Sequence, residues 1–147
     1  MATQISNEVP YGTTIFCDDI REEVGGKHTF VGCYPGFLVV PRFPVALPKL
    51  CLAITYLEPI HFTHEKITVR VYAPADDKAI YHTEFLTDVG RMPEFPLKQD
   101  EQPVIRGMTV FVVFPNLEVA SPGLLKVRAE RVGKITRLGA LVFSALK

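Results

Sequence analysis

The sequence carries no surplus of charge: over 147 residues, sixteen basic side chains cancel sixteen acidic ones. A neutral chain has no basic face for a phosphate backbone or for anionic lipid, which argues against nucleic-acid and membrane-surface partners. Serine is scarce. Ser6, Ser121 and Ser144 are the only ones, and none stands in a Gly-x-Ser-x-Gly elbow, so serine hydrolysis has no support. Long apolar runs are missing too; the stretches near Phe37–Val40 and Val110–Phe114 fall far below the roughly 20 residues that cross a bilayer as a helix. The first ten residues hold Gln4, Asn7 and Glu8 and no apolar core, which is not the pattern of a secretory signal. Cysteine is present three times, an odd number without paired spacing. Cys17, Cys33 and Cys51 are therefore expected as small buried hydrophobes in a reducing, cytoplasmic compartment, with a Cys17–Cys33 bridge as the alternative.

What is present is best organised around Ile15 to Tyr34, two β-prone runs flanking a Gly-Gly turn. Gly25 and Gly26 tolerate positive φ, as a tight hairpin requires, so Gly25, Gly26 and Lys27 are assigned to a structural turn. Acidic residues before the turn then face Lys27 or His28 across the ladder, where an opposite-charge pair contributes roughly 0.2–1 kcal/mol. Gly25-Gly26-Lys27 is not a phosphate loop, because the earlier glycine and the following Ser or Thr are missing.

The same stretch resembles an uncharacterised family of small bacterial proteins, a domain of unknown function, whose members carry Cys-Asp-Asp, then Glu, then Gly-Lys and Gly-x-Tyr. Here these are Cys17, Asp18, Asp19, Glu22 or Glu23, Gly26, Lys27, Gly32 and Tyr34. The likeness continues through Pro41 to Leu52 and more loosely to Val127–Glu130. It implies a compact all-β domain that is often a whole protein, and it implies no function.

Along the chain, residues 1 to 12 read as an N-terminal arm and 13 to 147 as one domain. Strands are expected at Thr13–Glu22, His28–Tyr34, Phe37–Val40, Leu50–Leu57, Lys66–Tyr72, Ile80–Leu86, Val104–Phe114, Leu125–Glu130 and Ile135–Phe143. Pro41, Pro44 and Pro48 read as a stiff connection, and Pro115-Asn116 as a strand end. With 48% hydrophobic residues, turn signals throughout and no sustained helical period, the expected fold is an antiparallel β-sandwich of about eight strands, Ig-like or C2-like with Greek-key connections. Between Thr87 and Pro103 the pattern dissolves. A connection of that length tends to be functional, so Met92, Phe95 and Leu97 are taken as apolar anchors for a protein partner.

Two constellations invite chemistry. His61-x-x-His64 has the spacing of a shared helical face, but Pro59 and the strand that follows place it in a loop, where the zincin pattern does not apply. Asp18-Asp19 and Asp76-Asp77 have the look of paired carboxylates that hold calcium, an ion wanting six to eight oxygens. Adjacent residues of a strand point to opposite faces, so only one of Asp18 and Asp19 can serve. The expected function is a non-catalytic interaction or structural module without cofactor, self-associating or part of a larger, phage-like assembly. The alternative is a calcium- or zinc-dependent binding module or enzyme using Asp18, Asp19, Asp76, Asp77, His61 and His64.

Overall fold

The computed structural model describes residues 9–87, 98, 100 and 104–147. Nine strands follow one another, with no helix among the described residues: β1 Tyr11–Glu22, β2 His28–Cys33, β3 Phe37–Val40, β4 Val45–Pro59, β5 Lys66–Tyr72, β6 Ala79–Leu86, β7 Ile105–Val119, β8 Gly123–Arg131 and β9 Lys134–Ala145. They form two sheets, one in the order β2-β1-β4-β7 and one in the order β3-β9-β8-β5-β6. The fold is a β-sandwich.

Alternation builds its core. Leu50, Leu52, Ile54 and Tyr56 of β4 and Val112 of β7 point inward from the first sheet. Ile67, Val69 and Val71 of β5, Leu125, Val127 and Ala129 of β8, and Leu138, Leu141 and Phe143 of β9 meet them from the second. Period-two spacing places the β4, β5 and β8 sets each on one face of its strand, and in β9 a bulge at Leu138 brings that residue onto the face of Leu141 and Phe143. At one side the two sheets touch directly, where the Thr14 hydroxyl donates to the Leu138 carbonyl at 2.8 Å. Gly12 allows that approach, since a Cβ there would lie 2.8 Å from a Leu138 methyl.

Three expectations need correction. The sandwich is not wholly antiparallel, because β3 runs parallel to β9 from Phe37↔Val142 to Val40↔Ala145. The chain reaches β3 by crossing from one sheet to the other after β2, and that crossing sets its direction. Pro115-Asn116 does not end β7, which runs on to Val119 paired with β4 throughout; β7 lies at the edge of its sheet, where proline is tolerated because one side of the strand makes no ladder. β4, though interior, is paired with β1 only as far as Cys51, so its first residues also have one free side and the strand begins at Val45 and absorbs Pro48.

The β1–β2 hairpin does not stay in its sheet. β1 pairs with β4 from Tyr11 to Cys17 and with β2 only from Cys17 onward. β2 and β7 are the outermost strands of the four, so three spacings, roughly 14 Å, separate them in plane. Yet the rings of His28 and Phe111 stack at 4.2 Å between centroids. Beyond Cys17 the hairpin must therefore leave the plane and fold across the sheet's outer face, where Lys49 of β4 holds it through Asp19. That cover explains why Cys17 and Cys51, which alternation places on the outer face, are 0% exposed. The loop that closes the hairpin is 23–27, with Glu23 N donating to the Lys27 carbonyl at 2.7 Å and Gly25 and Gly26 at φ +87° and +75°.

Candidate functional site

The most heavily built polar cluster lies at the end of the sandwich where β4 finishes. Glu58 continues the inward row of β4 after Tyr56, and its side chain is completely buried. A buried carboxylate is costly unless it is paired and hydrogen-bonded, and here both oxygens have donors. Oε1 accepts from Arg106 Nε at 2.9 Å and from the Thr87 hydroxyl, while Oε2 accepts from the Tyr56 hydroxyl at 2.9 Å. Arg131 Nε adds an ion-pair contact to Oε2 at 3.2 Å. Burial pushes the Glu58 carboxyl up, and the donors from Thr87, Arg106 and Tyr56 more than offset it, holding it below the ordinary carboxylate range.

Arg106 also ties down the segment after β4. Its Nη1 donates to the Ile60 carbonyl at 3.3 Å and its Nη2 to those of Phe62 and Thr63 at 2.6 and 3.1 Å. His64 completes the knot: its Nδ1 lies 3.0 Å from the Thr87 carbonyl and its Nε2 lies 3.3 Å from Arg106 Nη1. A carbonyl only accepts and a guanidinium only donates, so the proton sits on Nδ1 and the Nε2 lone pair faces Arg106. Neither nitrogen is left for a metal. Because Thr87 precedes the connection to β7 and Ile60 N donates to the Val104 carbonyl at 2.9 Å, the cluster clamps both ends of that connection.

A second cluster sits where the hairpin bends. The Tyr34 hydroxyl donates to Asp18 Oδ1, and burial together with that carboxylate raises the phenol to about 12. Asp19 takes Lys49 Nζ and Arg21 Nε, and the hydrogen bond from Lys49, then that from Arg21, lowers its carboxyl. Gly32 has φ +68°, and a Cβ there would fall 2.3 Å from Asp18 Oδ2. Cys17, Asp18, Asp19, Gly32 and Tyr34, spread over eighteen positions of sequence, thus meet at one bend. Cys33 departs from the expected burial: it is exposed, because β2 is an edge strand rising off the sheet.

The remaining candidate residues are scattered. Asp76 and Asp77 lie in the turn between β5 and β6, in the other sheet, with Asp76 Oδ1 accepting from Lys78 N at 3.0 Å. His61 stacks edge-on against Phe62 at the rim of an open hollow of about 480 Å³, opposite Val9 and Arg131. No group of three metal-ligating side chains gathers among the described residues. Met92, Phe95 and Leu97 lie outside those residues. No described helix is long and apolar enough to cross a membrane.

Sequence reasoning missed Glu58, Arg106 and Arg131. The available signal was a charge at an inward position: Glu58 is the fifth in the row Leu50, Leu52, Ile54, Tyr56, Glu58, and a charge on a core face demands a partner.

A neutral, all-β, two-sheet protein with a clamped end and a hairpin bent over one face defines a class by architecture, not by reaction. Within that class the chain belongs to the Family of unknown function (DUF6941), whose model matches residues 13–137. No curated protein matches the chain.

Proposed function

We propose that the protein is a non-catalytic interaction module of the bacterial cytoplasm that pairs with a second copy of itself through the edge of β7. The observation that supports this most is the character of that edge. β7 is 15 residues long, and β4 occupies one of its sides along the whole length. Among the described residues no strand occupies the other. From Gly107 to Leu117 it has no charged side chain, while Phe111 and Val113 are 40% and 52% exposed. Natural edges are ordinarily guarded by lysine, inward charge or a bulge; Pro115 is the single guard here.

A second copy suits this edge because an antiparallel two-fold contact is self-complementary. Centred on Val112, it sets Phe111 against Val113 of the other copy twice over, an aromatic to β-branched pairing that favours sheets. The three unpaired thiols accord with a reducing compartment. Analytical ultracentrifugation tests the reading: the expected species is a dimer, converted to monomer by Val113→Lys with an unchanged circular dichroism spectrum. A wild-type chain that stays monomeric at high micromolar concentration refutes it, and a species larger than a dimer shows that a further edge takes part.

A further inference from the structure

The three cysteines, far apart in sequence, form one row across adjacent strands: Cys17 stands directly opposite Cys33 of β2 on one side and opposite Cys51 of β4 on the other. All three are unpaired thiols. We propose that Cys17 and Cys33 are a redox site, closing to a cross-strand disulfide by exchange with a low-molecular-weight disulfide of the glutathione type.

The backbone decides which neighbour Cys17 takes. Tyr34 N donates to the Phe16 carbonyl at 2.8 Å, so Phe16 and Tyr34 are the hydrogen-bonded pair of the β1–β2 ladder and Cys17 and Cys33 are the non-hydrogen-bonded pair beside it. In such pairs the Cα atoms lie about 4.5 Å apart and the side chains approach closely. The Phe16 carbonyl faces β2, so the polar groups of Cys17 face β4. Cys17 and Cys51 are then a hydrogen-bonded pair, with Cα atoms about 5.5 Å apart and side chains further separated. A disulfide needs Cβ atoms roughly 3.5–4.5 Å apart. The Cys33 side reaches that range with the smaller movement.

Access sets the order of events. Cys33 is exposed, whereas Cys17 is enclosed and donates to the Asp19 carbonyl at 3.4 Å. The Cys33 thiolate attacks one sulfur of the small disulfide, forming a mixed disulfide and releasing one thiolate. Cys17 then gives its proton to solvent and attacks the Cys33 sulfur, expelling the second small thiol. Two protein thiols are oxidised to one disulfide while one small disulfide is reduced to two thiols. Burial, with Cys51 and Cys33 close by, raises the Cys17 thiol to about 11. The second step is accordingly the slow one near neutrality and accelerates with pH. The new bond joins the edge strand to the body of the sheet at the bend over which the hairpin folds.

The three cysteines fall on three different tryptic peptides, since Arg21 and Lys27 separate Cys17 from Cys33 and Lys49 precedes Cys51. The full-length protein is therefore incubated with mixtures of reduced and oxidised glutathione at pH 7.5 and 9, quenched with an alkylating reagent and mapped. The expected product is a Cys17–Cys33 linked peptide pair with Cys51 alkylated, formed faster at pH 9 and formed equally in Cys51→Ser. Cys33→Ser, altered at an exposed position, is expected to keep both remaining thiols reduced. A glutathione adduct at Cys33 that persists at pH 9 with Cys17 alkylated overturns the proposal. So does a Cys17–Cys51 link, or a Cys33–Cys33 link between two chains.

Discussion

Glu58 shows how much one side chain controls in this protein. It is an acid with no exposed surface, and it joins Tyr56, Thr87, Arg106 and Arg131 from four separate parts of the chain. Removing one partner of such a pair leaves an uncompensated buried charge, so Glu58→Gln is expected to destabilise by about 3–5 kcal/mol in urea unfolding. A loss below about 1 kcal/mol would show that the cluster is not a clamp. The same carboxyl sets an acid limit. Its value when folded lies below the 4.5 of the free group, so its stabilisation is complete above that value and is lost as pH falls through the lower, folded one. Melting temperatures of wild type and Glu58→Gln should accordingly converge in acid and diverge towards neutrality.

Gly32 is the second residue on which much rests. Both Gly32 and Gly26 have positive φ, which in a non-glycine residue costs on the order of 1–3 kcal/mol. Around Gly26 nothing lies within 4 Å, whereas at Gly32 an added Cβ also collides with Asp18. Gly32→Ala should therefore cost more than Gly26→Ala, because it adds displacement of the Asp18–Tyr34 hydrogen bond to the backbone strain. Equal denaturation midpoints for the two variants would remove Gly32 from the bend.

Among the elements, the β1–β2 hairpin is the one whose position no local pattern announces. Its turn, its strands and its glycines are legible in the sequence, because they depend on neighbours a few residues away. That it bends over the outer face depends on Asp19 meeting Lys49 and His28 meeting Phe111, contacts 30 and 83 residues apart. The limits of β7 are hidden from the sequence for a related reason. Proline ends a strand only when both sides are paired, and the sequence does not say which strand is at an edge. β5, by contrast, has the bounds its alternating pattern predicts and buries Ile67, Val69 and Val71 as expected, with Thr68 the one outward position that is also buried. A stacked aromatic pair contributes about 0.5–1.5 kcal/mol, so His28→Ala should release the hairpin locally. Amide hydrogen exchange of residues 19–31 is expected to accelerate while the exchange of β5 and β8 stays fixed; unchanged exchange at 19–31 would mean that Asp19–Lys49 alone holds the hairpin down.

Across the whole molecule, four of the six groups that suggest a metal site in the sequence have other partners once the chain is folded. His64 gives one nitrogen to the Thr87 carbonyl and turns the other to Arg106. Asp18 holds Tyr34, Asp19 holds Lys49, and Asp76 caps its own turn in the opposite sheet. Short spacing in sequence was a poor guide because strands send adjacent residues to opposite faces and the two sheets separate the two aspartate pairs. An ion that bound the native state at a hundred times its dissociation constant would stabilise it by about 2.7 kcal/mol, a rise of roughly 5–10 °C for a chain of this size. Calcium, zinc and EDTA are each expected to leave the melting temperature within about one degree of the untreated protein, well inside that margin. If calcium or zinc raises it by several degrees and EDTA reverses the effect, the Asp18, Asp19 or His61 and His64 groups must rearrange around the ion, and the contacts that hold the hairpin or the clamp cannot be their resting state.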